Sequence, residues 1–565
     1  MTQERVRTLV EAALRELGIE SAEVHLERPR DPAHGDLATN VALSLASRLG
    51  KSSRALAQEI AQRIPTGSGG VTSVEVAGPG FLNFRISSVA VGETLDRILE
   101  ENERFGRSDV GHGEPVNVEF VSANPTGLLH IGHGRQAALG DAIAALLEWT
   151  GWSAYREFYY NDAGRQIERL SESVFARYRE QLGQEVAFPE DGYHGEIVVD
   201  IAKELVAADG DRWLAADPAE ALERMRQHAI SRLRQEQDLD LAAFGVHFDR
   251  YFLESSLYED GRVDETVTRL RATGLVYEKD GAVWLSTTSF GDQKDRVMLK
   301  SDGSATYFLP DVAYHVTKWE RGFRRAINVQ GADHHGTVSR VRAGLRALGL
   351  AEGYPEYVLH QMVTVEEEGR EVKFSKRAGD YVTLRELLAE VGADVTRYFF
   401  LMRKADGHLV FDLTQALDQS DRNPVYKVKY AHARMCSIFR KAGLGQGEVG
   451  PGYGDPGLLV EDRERELIRQ LVEFPEVVAK AAQLRAPHPV CEYLDRTAGE
   501  VNSWYHAGNP TRDPRLAVLV EDPVLRRARL MLAQGARIVL RNGLHLLGLD
   551  APEQMRRSLD EEERS

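Results

Sequence analysis

The sequence predicts a multidomain α/β protein: a parallel-sheet domain interrupted by an insertion, preceded by a small α+β unit and followed by an all-α region. Three observations predict it. The chain has 565 residues, too many for one ordinary core. From about residue 115 the apolar pattern alternates strand, helix and strand, as a parallel sheet requires. From about 410 to the end only helical periodicity remains.

Taken in order, the chain opens on an amphipathic helix from about Thr2 to Leu17. Asp36 begins an apolar-periodic stretch to Leu49, a serine at 52 or 53 caps another, and VEVAGPGFLNFRI reads as strand around a Gly-Pro-Gly turn. These elements make the first unit, residues 1–107. The second unit, 108–410, starts with a strand at 116–121, a loop at 122–129, a helix at 134–149 and a strand at 154–159. Polar helices follow, one over 218–244, then two hairpins turning at Asp280-Gly281 and at 301–304, the first a strong hairpin signal. Residues 165–305 are expected to interrupt the sheet, which resumes with strands at 326–329 and 357–365 around a helix at 338–348. The third unit, 411–565, is helical apart from the loop GLGQGEVGPGYGDPG, too rich in Gly and Pro to be helix.

Composition narrows the function. No apolar run reaches the roughly 18 residues that a membrane span needs. The start, MTQERVRTLVEAAL, lacks the apolar core of a signal peptide. Two distant cysteines, Cys436 and Cys491, build neither a Cys-rich metal site nor a disulfide framework, which fits a reducing compartment. A net charge of −17 argues against nucleic acid at long range, but polyanions bind local patches. One such patch interleaves Arg422, Lys427, Lys429, Arg434, Arg440 and Lys441 with Tyr426, Tyr430, His432 and Phe439. A solvated helix face would look much the same.

The sharpest segment is VEFVSANPTGLLHIGHGR. His130 and His133 fall where strand gives way to helix, a place where backbone N–H groups and the helix dipole favour a phosphate. Two imidazoles three residues apart can both reach one triphosphate, and Gly132 leaves room for an adenine. Two incidental histidines, or a metal pair, are the plain alternatives. A second segment, VKFSKRAGDYVTL, crowds Lys373, Lys376 and Arg377 beside Ser375 and Gly379. Three cations on a loop suit a pyrophosphate leaving group, whose charge grows in the transition state. Taken alone, that loop reads rather as a basic surface turn.

Together, the two segments resemble the paired signature motifs of class I aminoacyl-tRNA synthetases. Phe374 and Arg377 depart from the usual Lys-Met-Ser-Lys-Ser, while both lysines are kept. SANPTGLLHIGHGR, YNDAGRQI, GADHHG, FSKRAG, YAHARMCSIFRKA, the ending NGLHLLGLDAPEQM, and HGDLATN with GPGFLNF near the start are similar to bacterial arginyl-tRNA synthetases. That resemblance covers nearly the whole chain. It implies an N-terminal domain that touches the tRNA elbow, a Rossmann-type catalytic domain and an α-helical anticodon-binding domain.

The resemblance also implies roles for single residues. His130, His133, Lys373 and Lys376 are the expected catalytic set. ATP is expected on His130, Gly132, His133, Gly331, Asp333, Ser375 and Lys376. Arginine is expected on Glu119, Ser122, Asn124, His133, Tyr307, Asp311 and Asp333, since a guanidinium needs paired planar acceptors. Individually these have plain alternatives: Glu119 facing solvent, Asp311 as a cap, Tyr307 in the core. Asn161, Asp162 and Gln166 lie close enough in sequence to reach the substrate, though Asp162 also suits a helix N-cap. For tRNA, Phe81 and Asn83 are expected to meet an unstacked base, with a half-buried edge strand as the alternative. Tyr430, Arg434 and Lys441 are expected at the anticodon. The partners implied are tRNA(Arg), L-arginine and ATP with Mg2+ bound to the substrate, with no protein-bound metal and no membrane. The chain is expected to be a cytoplasmic monomer, acting in two steps through arginyl-adenylate.

Overall fold

The computed structural model describes residues 2–555 apart from positions 28, 30, 32, 33, 68, 69, 87, 163, 373–381, 446, 510 and 511. The first unit packs the helices Thr2–Glu16, Val41–Leu49 and Ser53–Ala61 on a three-stranded antiparallel sheet. Its core holds Val6, Val10, Leu45, Leu56, Ile60, Leu82 and Phe84. Phe81–Ile86 is the central strand, flanked by Leu37–Thr39 and Val71–Ala77, so the edge-strand alternative for Phe81 and Asn83 does not hold. The Gly-Pro-Gly turn is tight: a Cβ on Gly80 would sit 2.8 Å from the Ser53 carbonyl. The helix Ser88–Glu101 then leaves this core, and its Leu95, Ile98 and Leu99 join the large cluster of the rest of the chain.

The central sheet has five strands, all parallel: β1 Pro115–Glu119, β2 Ser153–Tyr160, β3 Arg250–Leu253, β4 Arg325–Gly331 and β5 Glu356–His360. Their spatial order is β5-β4-β1-β2-β3. Strand order therefore reverses at β1, and the crevice beyond the carboxyl ends of β1 and β4 is the topological switch point where such sheets bind ligands. The helix Ile131–Trp149 follows β1 and packs so closely that a Cβ on Gly140 would overlap the Phe120 ring.

The interruption expected over 165–305 contains β3, so it is two excursions and not one. The first, three helices Arg165–Gln181, Glu196–Asp209 and Pro218–Ala243, has its own small core around Leu170, Val174, Ile201 and Leu233. The second carries the hairpin Val276–Lys279 with Ala282–Leu285, turning at Asp280 (φ 52°) and Gly281 (φ 75°) as the Asp-Gly signal predicts. The strand expected at 357–365 divides: β5 stays in the parallel sheet, whereas Val363–Glu367 joins Arg370–Glu371 and Leu409–Asp412 in a separate small sheet. Beyond it come the long helices Pro424–Ala442, His488–Ala507 and Pro523–Leu546 with two shorter ones between. Asn423 and Asp522 accept first-turn N–H bonds ahead of a proline at the first helical position, a well-formed start. One apolar cluster runs from this bundle into the central sheet, with Phe474 beside Phe105 and Trp149. Among the described residues no helix is long and apolar enough to cross a membrane.

Candidate functional site

At the switch point, a cavity of 660 Å3 opens between the ends of β1, β4 and β5. Ser122, His130, Gly132, His133, Gly331 and Asp333 all line it. The chain reaches it through Val121 (φ 68°) and Ser122 (φ 42°), two non-glycine residues in the left-handed region. Such conformations cost on the order of 1–3 kcal/mol and tend to gather at working sites.

His130 is the N-cap of the helix Ile131–Trp149. Its Nδ1 accepts from the Gly132 N–H (3.0 Å) and the His133 N–H (3.3 Å), while His133 Nδ1 accepts from the His130 N–H (3.4 Å). The rings stack with centroids 3.6 Å apart. Burial lowers the pKa of both, and in His133 the neighbouring His130 and His360 lower it further. Two neutral imidazoles that accept through Nδ1 must carry their protons on Nε2. The pair thus has Nε2–H donors in a fixed tautomer. This corrects the expectation that free backbone N–H groups receive the anion: the first-turn N–H groups are already bonded, with Ile131 N–H donating to the Val382 carbonyl. It also supplies a local reason for Gly132, whose Cβ would stand 2.9 Å from the His130 ring. A Cβ on Gly331 would likewise overlap the Asp333 carboxylate, which is itself exposed and near His334.

The second signature segment falls largely outside the described residues: Lys373, Ser375 and Lys376 lie within 373–381. Its flanks do not. Val372 and Val382 line the same cavity. Leu384 N–H donates to the Leu129 carbonyl, and Thr383 bridges His130, so the segment returns directly onto the histidine motif.

Beneath β1 lies a buried polar network. Lys318, fully buried on the helix Phe308–Glu320, donates to Glu119 Oε2 (2.6 Å) and to Asn328 Oδ1 (3.2 Å). Asn328 Nδ2 donates to His315 Nε2 (2.7 Å), leaving His315 Nδ1–H to donate to the Asp311 carbonyl (2.7 Å). Burial pushes the Glu119 carboxyl up, but Lys318 and His315 outweigh it and hold the group below its usual range. Glu119 is therefore not the open acceptor expected: a buried lysine already neutralises it. Ser122, which donates to Glu119 (3.1 Å) and accepts from the Tyr159 N–H (3.3 Å), is engaged in the same way.

What remains is a pair of carboxylates with no ion-pair partner among the described residues, Asp311 and Glu254. Burial, then repulsion from Glu254 and Glu119, pushes Asp311 up to about 7. Burial also raises Glu254, whose Oε2 accepts from the Tyr159 hydroxyl (2.7 Å). Such a pair calls for a cation with paired donors. Glu254 was invisible to sequence reading, and so was Gln330, at the end of β4, whose buried Oε1 has no partner among the described residues and which lines the cavity. Tyr307 stands at the N-cap position one turn before Asp311, makes no side-chain capping bond and is 70% exposed.

A second cavity, of 850 Å3, shares only His130 and His133 with the first. Asn124, bonded through Nδ2 to Gln166 (2.5 Å), lines it, with Tyr193, His194, Gln237 and Arg385. Asp162 caps no helix of its own; it accepts from the Ser255 N–H (3.0 Å) and hydroxyl (2.8 Å), capping the helix Glu254–Glu259 from outside.

In the helical bundle, a groove of 1060 Å3 gathers Tyr430, Arg434 and Lys441 with Tyr505, Asn502 and His506. Arg434 is buried between the rings of Tyr430 (4.8 Å) and Tyr505 (4.7 Å), and its side chain bonds only neutral groups, Asn502 (2.5 Å) and His506 (3.3 Å). It is not on a solvated face. Lys429 leaves the basic set, because it pairs with Asp394. Asn83 is buried on its central strand, whereas Phe81, two residues away on the same face, is half-buried; Asn83 is thus not open to a base as expected.

Residues 94–413 match the family described as the catalytic domain of class I (R) tRNA synthetases. Residues 4–86 match the arginyl tRNA synthetase N-terminal domain, and 428–555 the DALR anticodon-binding domain. The chain is 49% identical to an arginine–tRNA ligase of Thiobacillus denitrificans, covering 98% of this chain and 99% of that one. Against an arginine–tRNA ligase of Geotalea daltonii the identity is 51% over 94% of each. The crystal structure of the Thermus thermophilus arginyl-tRNA synthetase superposes with a TM-score of 0.79 at 25% identity, over 98% of this chain and 100% of that one.

Proposed function

The chain belongs to the class I arginyl-tRNA synthetases, and on that premise we propose a division of labour among its cavities. The enzyme joins arginine to tRNA: ATP, L-arginine and tRNA(Arg) give L-arginyl-tRNA(Arg), AMP and diphosphate, through arginyl-adenylate and transfer to the 2′-hydroxyl of the terminal adenosine. ATP is assigned to the 660 Å3 cavity lined by His130, Gly132, His133, Gly331 and Asp333, and to Ser375 and Lys376 of the second segment. The Nε2–H donors of His130 and His133 stabilise charge as the arginine carboxylate attacks the α-phosphate, and Lys373 and Lys376 do so on the departing pyrophosphate. No protein nucleophile takes part. Mg2+ accompanies the triphosphate as its counter-ion.

Arginine is assigned to Asp311 and Glu254, with Tyr307, Asn124, Ser122, His133, Asp333 and Gln330 around it, and with Glu119 as the buffered base of the pocket. The observation that carries this reading is the carboxylate pair Asp311 and Glu254, neither held in an ion pair among the described residues, which a guanidinium completes. The 850 Å3 cavity on the far side of the histidines is where the terminal adenosine would approach. The units 1–107, 108–410 and 411–565 take the tRNA elbow, the chemistry and the anticodon, within one cytoplasmic chain acting as a monomer. The test is pyrophosphate exchange with each of the twenty amino acids, with and without tRNA. Arginine alone should support it, and Lys376→Ala should slow it on the order of a hundredfold while arginine binding holds. Exchange driven by another amino acid would overturn the assignment.

Tyr430, Arg434 and Lys441 are assigned to the anticodon loop, with Phe81 at the elbow and Asn83 in support behind it. Among the described residues Arg434 has no carboxylate in contact, so a phosphate or a base carbonyl would give it its first anionic or base acceptor. Arg434→Gln should weaken tRNA binding by about 1–3 kcal/mol and flatten its salt dependence by about one unit of slope, if a phosphate is lost. Filter binding across a salt series reads both. A variant with normal affinity and slope would move anticodon reading elsewhere on the bundle.

A further inference from the structure

One turn of an inserted helix holds both approaches to the histidine pair. Gln237, on Pro218–Ala243, is 1% exposed; its Nε2 donates to the carbonyls of Asn124 (3.0 Å) and Gly127 (2.9 Å), in the loop that delivers His130. Its neighbour Glu236 accepts from Arg385 Nη2 (2.5 Å), and Asp240, one turn on, accepts from Arg385 Nε (2.8 Å). Arg385 directly follows Leu384, whose N–H bonds the Leu129 carbonyl; Val382 in turn accepts from Ile131, and Thr383 lies opposite His130. Glu236 is itself anchored by Arg232. Residues 129–131 are thereby gripped from upstream by Gln237 and from the side by Arg385, and both grips lead to residues 236–240, outside the central sheet. Gln237 Oε1 is buried and without a partner among the described residues, and Gln237 lines the second cavity.

We propose that the turn at 236–240 is a positioning element for adenylate formation, with Gln237 and Arg385 the positioning residues that fix the His130–His133 donors. This rests on the assignment of those histidines to ATP. The physical reason is geometric: donors aimed at a transition state lose on the order of a hundredfold in rate when displaced by about 1 Å. Gln237 is the more exacting of the two. Glutamate keeps its shape but turns an acceptor toward two carbonyl oxygens, so the loop must move. Because both residues act through the same three-residue segment, removing one grip leaves less for the other to lose, and their effects should not multiply.

The experiment is arginine-dependent pyrophosphate exchange on the full chain with tRNA, for Gln237→Glu, Arg385→Met, Arg385→Lys and the Gln237→Glu/Arg385→Met double variant. Each of the first two should lower kcat by on the order of ten- to a hundredfold with the KM for ATP little changed. Arg385→Lys should recover most of the loss, and the double variant should be scarcely worse than the poorer single one. Selectively labelled histidine should report loss of the fixed Nε2–H tautomer at His130 in the impaired variants. Should Gln237→Glu not fold, Gln237→Met removes the same donors without the added charge. An unchanged kcat, a fully multiplicative double variant, or an unaltered His130 tautomer beside a slow enzyme overturns the proposal. A wild-type chain without arginine-dependent exchange would instead sink the functional assignment beneath it.

Discussion

Asp311→Asn is expected to raise the KM for arginine on the order of a hundredfold while leaving that for ATP nearly unchanged. Asparagine keeps the shape and removes the charge, and a charge-assisted hydrogen bond to a guanidinium contributes about 1.5–3 kcal/mol. Glu119 cannot replace it, since it is already paired with Lys318. The same geometry fixes a pH dependence. With its carboxyl pushed up to about 7, Asp311 is largely protonated in the free enzyme at pH 6, and arginine binds the ionised form. Apparent arginine affinity should therefore rise from pH 6 to 8 and level off above, with a proton released on binding near pH 7. Calorimetry in buffers of different ionisation enthalpy reads that proton, which should vanish in Asp311→Asn. Stability of the free enzyme should move the other way. The unfolded carboxyl ionises near 3.8 and the folded one only near 7, so this group's contribution falls as pH rises between them and stays low above. Equal losses for arginine and ATP in the variant would make Asp311 structural.

Arg397→Met should destabilise the fold by about 3 kcal/mol: Asp141 keeps Arg156, but three helix-end carbonyls lose a buried charged donor. The guanidinium is 2% exposed and pairs with Asp141 (2.7 Å) on the helix that begins at the histidine motif. It also donates to the carbonyls of Phe244 (3.2 Å) and Gly245 (3.4 Å), where the inserted helix ends, and of Leu547 (3.4 Å), where the last helix ends. Gly548 leaves it room, since a Cβ there would stand 2.5 Å from Nη1. Three parts of the chain meet on one side chain. Denaturant unfolding followed by both tryptophan fluorescence and circular dichroism should show an earlier midpoint, with the helical bundle and the sheet no longer melting together. An unaltered, single transition would show that the apolar cluster alone joins them.

The parallel sheet and its switch-point loop were legible because β1, β2 and β4 are short stretches rich in β-branched or aromatic residues beside helical periodicity. β3 was not: Arg250–Leu253 is four residues between two helical stretches, too short to show a period. The helix after β1 begins earlier than its apolar pattern because its cap is an imidazole, outside the Ser, Thr, Asp and Asn set that marks most N-termini. Paired signature motifs pointed to His130, Gly132 and His133, yet the reason for Gly132 is its own neighbour's ring. Long-range partners were beyond reach. Nothing near Glu119 announces Lys318, nothing near Asp311 announces Glu254, and the burial of Arg434 depends on Tyr505 and Asn502 from another helix.

Strand order also sets a schedule for the chain as it is made. β1 sits at the middle of the sheet, pairing on one side with β2, soon after it in sequence, and on the other with β4, where Val116 meets Arg325 roughly two hundred residues later. At about 5–20 residues per second, the nascent chain waits on the order of 10–40 s between emergence of the two partners. Through that interval one edge of β1 is an unpaired row of N–H and C=O groups flanked by buried-type side chains such as Val116 and Val118. The small helical core of the first excursion, around Leu170 and Leu233, needs neither edge and can form meanwhile. Synthesis should therefore place the inserted helices before the catalytic sheet is closed, and aggregation during slow translation should concentrate in the window before β4 appears.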